Sequence, residues 1–303
     1  MPSFVPTVQR QLDLFPSAQS AWQLALAALE RFEINSARAQ IASAAQASDE
    51  RTSFREMAAA VDWLEAMGLS ETSGVEALCA ALWDTPEWER AGELAPGAAG
   101  KVLDALARRI VACSRGAELN CAARARAHLL LGAFDAARRA LDGVSASARF
   151  DARTWAARAD VWAQEGHPDA RVCYGRALAL DPRAVEPRWF VDVALRERFE
   201  QLCRASGFER AREQVLAEAW LARELELPED EPEFGLEVRR RRVELESRDD
   251  AKTPNERLFA LLLAEDLACG ADIERRERMQ ALDAGLFARV LERRRQDQAQ
   301  RRI

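Results

Sequence analysis

Apolar residues recur along this chain at three- and four-residue intervals, the period of an amphipathic helix, and stretches that alternate as a strand requires are scarce. The pattern predicts helices over Ala21 to Phe32, Ser36 to Ala47, Ser53 to Met67 and Ser73 to Trp83, with Gly68 closing the third. Thr85-Pro86 has the cap-then-proline order that starts a helix, and Pro96-Gly97 breaks the chain before another over Lys101 to Cys113. Farther on, Leu227-Pro228-Glu229-Asp230-Glu231-Pro232-Glu233 reads as an acidic joint bounded by prolines, and the carboxylates from Glu224 onward as a solvated helix end. Beyond it, Thr253-Pro254-Asn255-Glu256 has the form of a capping box that launches Arg257 to Ala268, which Gly270 ends. Asp272 caps a helix to Leu282, and Gly285 to about Gln296 forms the last.

The middle of the chain repeats. Gly132 and Gly166 stand thirty-four residues apart, and the stretches around them, Glu118 to Val144 and Ala152 to Pro182, align at that period. In the second copy Trp155, Ala159 and Trp162 share one helix face, Gly166 turns the chain, and Ala170, Tyr174 and Ala177 line the return helix until Asp181-Pro182 stops it. Small residues let the two helices approach, with Trp155, Trp162 and Tyr174 expected to fill the gaps between them. A looser copy centres on Gly207 and a fourth on Ala21 to Ala47. These positions resemble a tetratricopeptide repeat. The resemblance implies an all-α, right-handed solenoid of helical hairpins whose concave groove holds a peptide or helix of another protein. Matched to the family's groove positions, the partner-binding residues would include Arg126, Leu129, Arg153, Asp160 and Ala163.

Ahead of the first helix, between Pro6 and Pro16, stands Gln11-Leu12-Asp13-Leu14-Phe15. Phe15 precedes a proline, which biases it toward extended backbone, and three apolar side chains with one amide make a compact anchor set. The run resembles, at all five positions, the peptide by which bacterial polymerases and repair factors dock on the replication sliding clamp. The resemblance implies that Leu14 and Phe15 fill an apolar pocket while Gln11 bonds at its rim. The alternative is that Leu12, Leu14 and Phe15 fold back as a staple on the first helix.

Composition narrows the classes. The 303 residues carry a net charge of -7, which opposes a general nucleic-acid binder, although Arg239 to Arg242 and Arg293 to Arg295 concentrate cations. Those runs read as solvated faces paired with neighbouring glutamates, or as phosphate contacts. The six cysteines form no CxxC pair and read as reduced core residues; His128 and His167 are too few for a His-rich metal site. Gly97-Ala98-Ala99-Gly100-Lys101 lacks the first glycine and the Ser or Thr of a phosphate loop. No catalytic residue, metal or cofactor is therefore expected. The absence of a membrane-length apolar run or a signal-like start points to a cytoplasmic protein. The expected organisation is a tether (1–16), an N-terminal helical region (17–117), repeats (118–227) and a C-terminal helical extension (228–303). The expected function is an adaptor that binds the clamp and a second protein, with a general scaffold or chaperone of an assembly as the alternative.

Overall fold

The computed structural model describes residues 18–47, 51–83, 96–113, 121–142, 150–185, 190–247 and 254–300. Among these, every regular element is helical, and there is no strand. The chain divides into two compact units, Met1–Ala137 and Arg138–Ile303. No helix among the described residues is long and apolar enough to cross a membrane.

The first unit is built from α1 (Ala18–Glu30), α2 (Ile34–Ala47), α3 (Arg51–Ala66), α4 (Val75–Leu82), α5 (Pro96–Cys113) and α6 (Cys121–Leu130), and it contains the start of α7 (Phe134–Asp142). The turn between α1 and α2 has no glycine. Phe32 itself takes left-handed backbone (φ 60°), and its ring, 1 % exposed, is packed well enough to hold that conformation. Arg38 ties α2 to α3 through Asp62 (2.8 Å) and Glu65. Pro96 does not break the chain before a later helix but is the first residue of α5, a place its fixed φ suits. The helix expected at Thr85-Pro86 lies outside the described residues.

The second unit holds three helical hairpins. In α8 (Ala152–Gln164) and α9 (Ala170–Leu180), Trp155 meets Arg176, Asp160 meets Tyr174 and Trp162 meets His167, so the helices run in opposite directions about Gly166 (φ 69°). Asp151 caps α8 by accepting the Thr154 N–H at 2.8 Å. In α10 (Val193–Ser206) and α11 (Phe208–Leu221) the turn is Gly207 (φ 82°), flanked by the edge-to-face pair Phe199 and Phe208. The third pair is α12 (Pro232–Ser247) and α13 (Asn255–Ala268). Every residue from Phe259 to Ala268 is buried, so α13 is a helix enclosed on all sides, packed by α9, α11, α12 and α14 (Ile273–Leu282). Asp272 caps α14, and α15 (Ala284–Gln300) starts one residue earlier and ends later than the glycine pattern suggested.

Two expectations change here. The segment from Leu227 to Glu233 lies inside the second unit, and the helices after it share one core with those before it. Its composition is that of a joint, but Leu225, Leu227 and Pro228 are buried, Asp230 donates to the Leu267 carbonyl, and Glu231 takes Arg176 at 2.5 and 2.6 Å. Glu224 is likewise not simply solvated, since Arg198 holds it at 2.8 and 3.0 Å. The second change concerns aromatics. Tyr174, Phe190 and Trp220 are enclosed, as are Phe199, Phe234 and Phe259, whereas Trp155 and Trp162 are half-buried at the edge of the core, beside Arg158 and Arg176 in one case and His167 in the other. Trp162→Ala is therefore expected to lower stability by about 2 kcal/mol, short of the ~3–5 kcal/mol for a fully enclosed tryptophan. Urea midpoints check this, and a loss as large as that of Trp220→Ala would place the Trp162 ring in the core instead.

Candidate functional site

Gln11, Leu12, Leu14 and Phe15 lie outside the described residues. The groove positions carried from the repeat family divide. Leu129, Arg153 and Ala163 are half-buried, while Arg126 and Asp160 are each 4 % exposed. Asp160 is turned inward by Tyr174, whose hydroxyl donates to it at 2.5 Å and accepts the Val191 N–H at 3.1 Å. A buried tyrosine hydroxyl needs a partner, and in this chain the aspartate one helix away supplies it. Phe190 closes the same site at 2 % exposure, edge-to-face with Tyr174 at 5.1 Å.

The arginine runs are neither fully solvated faces nor open phosphate patches. Arg241 donates to the carbonyls of Phe150 and Leu180 at 3.0 and 3.1 Å, and Arg242 to Glu265 and Glu246 at 3.1 and 2.9 Å. Arg293 lies over the Trp220 ring, 3.9 Å from its centroid, and Arg294 pairs with Asp266. Only the exposed members, Arg239, Arg240 and Arg295, keep the surface character that composition suggested, and Arg240 is paired with Glu237 and Glu244.

Among the described residues no cluster of three His, Cys, Asp or Glu side chains is disposed to hold a metal. His167 is exposed, with Nδ1 accepting the Asp169 N–H at 3.3 Å. Cys173 is buried, and desolvation pushes its thiol up to about 12, which suits a packed thiol rather than a nucleophile. Cys269, expected in the core, is exposed.

The site that sequence reasoning missed is a cleft of about 690 Å³ in the second unit. One wall is α11, the opposite rim is the start of α13, and the far end is the junction of α14 and α15. Arg183 reaches it from a 3-10 turn, Pro182–Ala184, which Asp181 caps. Glu209, Glu213 and Ala217 line the wall because they are four residues apart on one helix face, and Phe259 lines the cleft from α13. Most charges along the cleft are paired within the fold. Arg210 binds Glu256 at 2.7 Å, Arg289 binds Glu218 at 2.7 and 2.9 Å, and Asp283 caps α15 by accepting the Leu286 N–H at 2.8 Å. Glu256 pairs with Arg210, and Thr253, the other half of the expected capping box, lies outside the described residues.

Glu213 differs. It is 8 % exposed, and its Oε2 accepts no hydrogen bond. The nearest cation is Arg257, whose Nε is 4.0 Å away while its terminal nitrogens donate to the carbonyls of Leu178 and Ala179 at 3.0 and 2.9 Å, at the C-terminal end of α9. Burial lowers Arg257 to about 10. Burial likewise pushes the Glu213 carboxyl above the usual range, although Arg257, Arg183 and Arg212 oppose the rise and Asp181 adds to it. The sequence carried one signal for this residue, a glutamate placed among the apolar positions Ala211, Val215, Leu216 and Trp220 of α11. Neither a protein-family model, nor a curated protein, nor a solved structure matches this chain, so its own residues have to carry the functional reading.

Proposed function

We propose that this chain is a protein-binding adaptor rather than an enzyme, recruited to a sliding clamp of the bacterial type through Gln11, Leu12, Leu14 and Phe15, with the helical body holding a second protein. The observation that carries the reading is the complete pentapeptide between Pro6 and Pro16, with α1 beginning at Ala18 beyond it. An extended peptide with three apolar anchors and a rim amide is a common means of docking on a preformed pocket. For the body, the reading is a tetratricopeptide-like solenoid. It is supported by left-handed glycines at three turns, Gly132, Gly166 and Gly207, and by the antiparallel pairing of α8 with α9 and of α10 with α11. On that reading the partly exposed Leu129, Arg153 and Ala163 belong to the partner surface, and the protein works in the cytoplasm beside the replication machinery.

The test is a titration of purified bacterial sliding clamp with the full chain and with a labelled peptide spanning Thr7 to Ser17, read by fluorescence anisotropy. Binding is expected at roughly micromolar strength, about -8 kcal/mol, because three apolar anchors and one amide are buried while a free tether is ordered. Leu14→Ala with Phe15→Ala is expected to abolish it, and Asp13→Ser to leave it intact. No binding up to about 300 µM, a regime worth only about -5 kcal/mol, would remove the clamp and leave the general scaffold.

A further inference from the structure

The cleft on α11 contains a carboxylate that the fold buries without giving Oε2 a hydrogen bond, and an acceptor in that condition is costly unless something supplies the donor. Five carboxylates and two arginines line the cleft; Glu256 and Glu218 are held by Arg210 and Arg289, Asp283 caps α15, and Glu209 is exposed with Arg212 at 3.8 Å, which leaves Glu213, with Arg257 no nearer than 4.0 Å, as the buried carboxylate without a hydrogen-bonded partner. Arg257 does not fill that role, because carbonyl oxygens of α9 hold its terminal nitrogens. The remaining lining is apolar, from Ala217, Phe259, Leu282 and Leu286, and the volume of about 690 Å³ falls in the range that admits a side chain with its backbone.

We propose that this cleft receives a basic side chain, lysine or arginine, from a segment of the protein that the helical body holds. The methylene stem lies along the apolar lining, and the cationic head donates to Glu213 as a charge-assisted hydrogen bond in a site sheltered from water. The proposal rests on the adaptor reading only in making the cation part of a protein; recognition of the cation does not depend on clamp docking. It also assigns a direction with pH. The charged groups that act on Glu213 are Asp181, Arg183, Arg212 and Arg257, and their balance with burial leaves its carboxyl above the usual range. A neutral carboxyl attracts a cation weakly, so binding strengthens as pH rises through the Glu213 titration, which burial places above the usual carboxylate range.

Saturation-transfer NMR on the full chain tests this with N-acetyl-lysine methylamide and N-acetyl-arginine methylamide, the uncharged N-acetyl-norleucine methylamide, and cadaverine as a free amine. The side-chain methylenes of the two basic probes are expected to receive saturation, with about tenfold weaker binding in Glu213→Gln, equivalent to about 1.4 kcal/mol. Equal binding of the norleucine probe, or unchanged binding in Glu213→Gln, overturns the proposal. Cadaverine binding in preference to both capped amino acids overturns the protein partner in favour of a free amine. If Glu213→Gln does not fold, Leu286→Trp decides, because it fills the cleft from α15 and leaves Glu213 in place; retained binding there also overturns the proposal. The Leu14→Ala/Phe15→Ala chain is expected to bind the probes as the unaltered chain does, which separates this result from a failed clamp titration, and loss of probe binding in it overturns the assignment to the cleft.

Discussion

Gly175→Ala is expected to destabilise the second unit by about 3 kcal/mol, at the upper end of what one added methyl does in a packed interior. Gly175 is buried in α9, and the chain leaving α11 crosses directly over it. A methyl group there would overlap the Glu226 carbonyl oxygen, stand 3.0 Å from its carbonyl carbon and touch Leu227 at 3.5 Å. Backbone cannot rotate away as a side chain can. Retreat is also blocked by the buried Leu225 and Leu227 on either side, by the Glu226 N–H bond to the Arg171 carbonyl at 3.3 Å, and by Arg171 Nη1 donating to the Arg223 carbonyl at 3.2 Å. Gly235→Ala is the control. A methyl there would overlap the Cys269 sulphur and come within 3.2 Å of the Ala268 methyl, but Cys269 is exposed and its side chain can turn outward. Alanine is also the better helix former by about 1 kcal/mol, which offsets the remaining crowding, so Gly235→Ala is expected to stay within about 1 kcal/mol of the unaltered protein. Urea midpoints compare the two. Equal midpoints would mean that the Glu226 segment moves aside freely.

That crossing also marks where sequence stopped being informative. Helix positions were legible because they depend on neighbours in the chain: Gly166, Gly207 and Asp272 set turns and a cap that propensity already favours. The turn at Phe32 was not legible, and the pattern carries the first helix through that residue where the structure ends it at Glu30, since the left-handed backbone is held by burial of the ring. Leu227 to Glu233 was misread for the same reason: its composition is that of a linker, and what fixes it is Arg176 and Leu267 from helices distant in sequence. Asp160 and Glu213 show the limit for candidate sites. Helical period gave each a face, but which face a partner helix covers follows from Tyr174 in one case and from α13 in the other. The arginine runs were legible as charge and only partly as structure: pairing with local glutamates describes Arg240, accounts for one contact each of Arg241 with Glu237 and Arg242 with Glu246 but not for the distant carbonyls and Glu265 they also reach, and fails for Arg294.

Glu265→Ala is expected to cost about 3 kcal/mol, through the arginines it leaves behind rather than through the lost pair itself. Glu265 is 1 % exposed on α13 and accepts from Arg242 of α12 at 3.1 Å and from Arg275 of α14 at 3.0 Å, so one carboxylate ties three helices. Without it, Arg242 keeps only Glu246, and Arg275 keeps the Gly270 carbonyl at 2.6 Å with Asp266 at 3.9 Å. The charge stranded in the interior is therefore mainly that of Arg242, 7 % exposed. Replacing both partners, Glu265→Leu with Arg242→Met, removes that charge and fills the space with apolar volume, and it is expected to recover most of the loss, since buried ion pairs gain little over well-packed hydrophobic residues. Salt gives a second readout. The cost of Glu265→Ala should change little between low and high ionic strength because the site is closed to ions, whereas any effect of Arg38→Met, which removes the exposed pairs with Asp62 and Glu65, should shrink as salt rises. A double variant no more stable than Glu265→Ala would show that the carboxylate acts through the geometry it imposes on α12 and α14, and that stranded charge is not what destabilises the single variant.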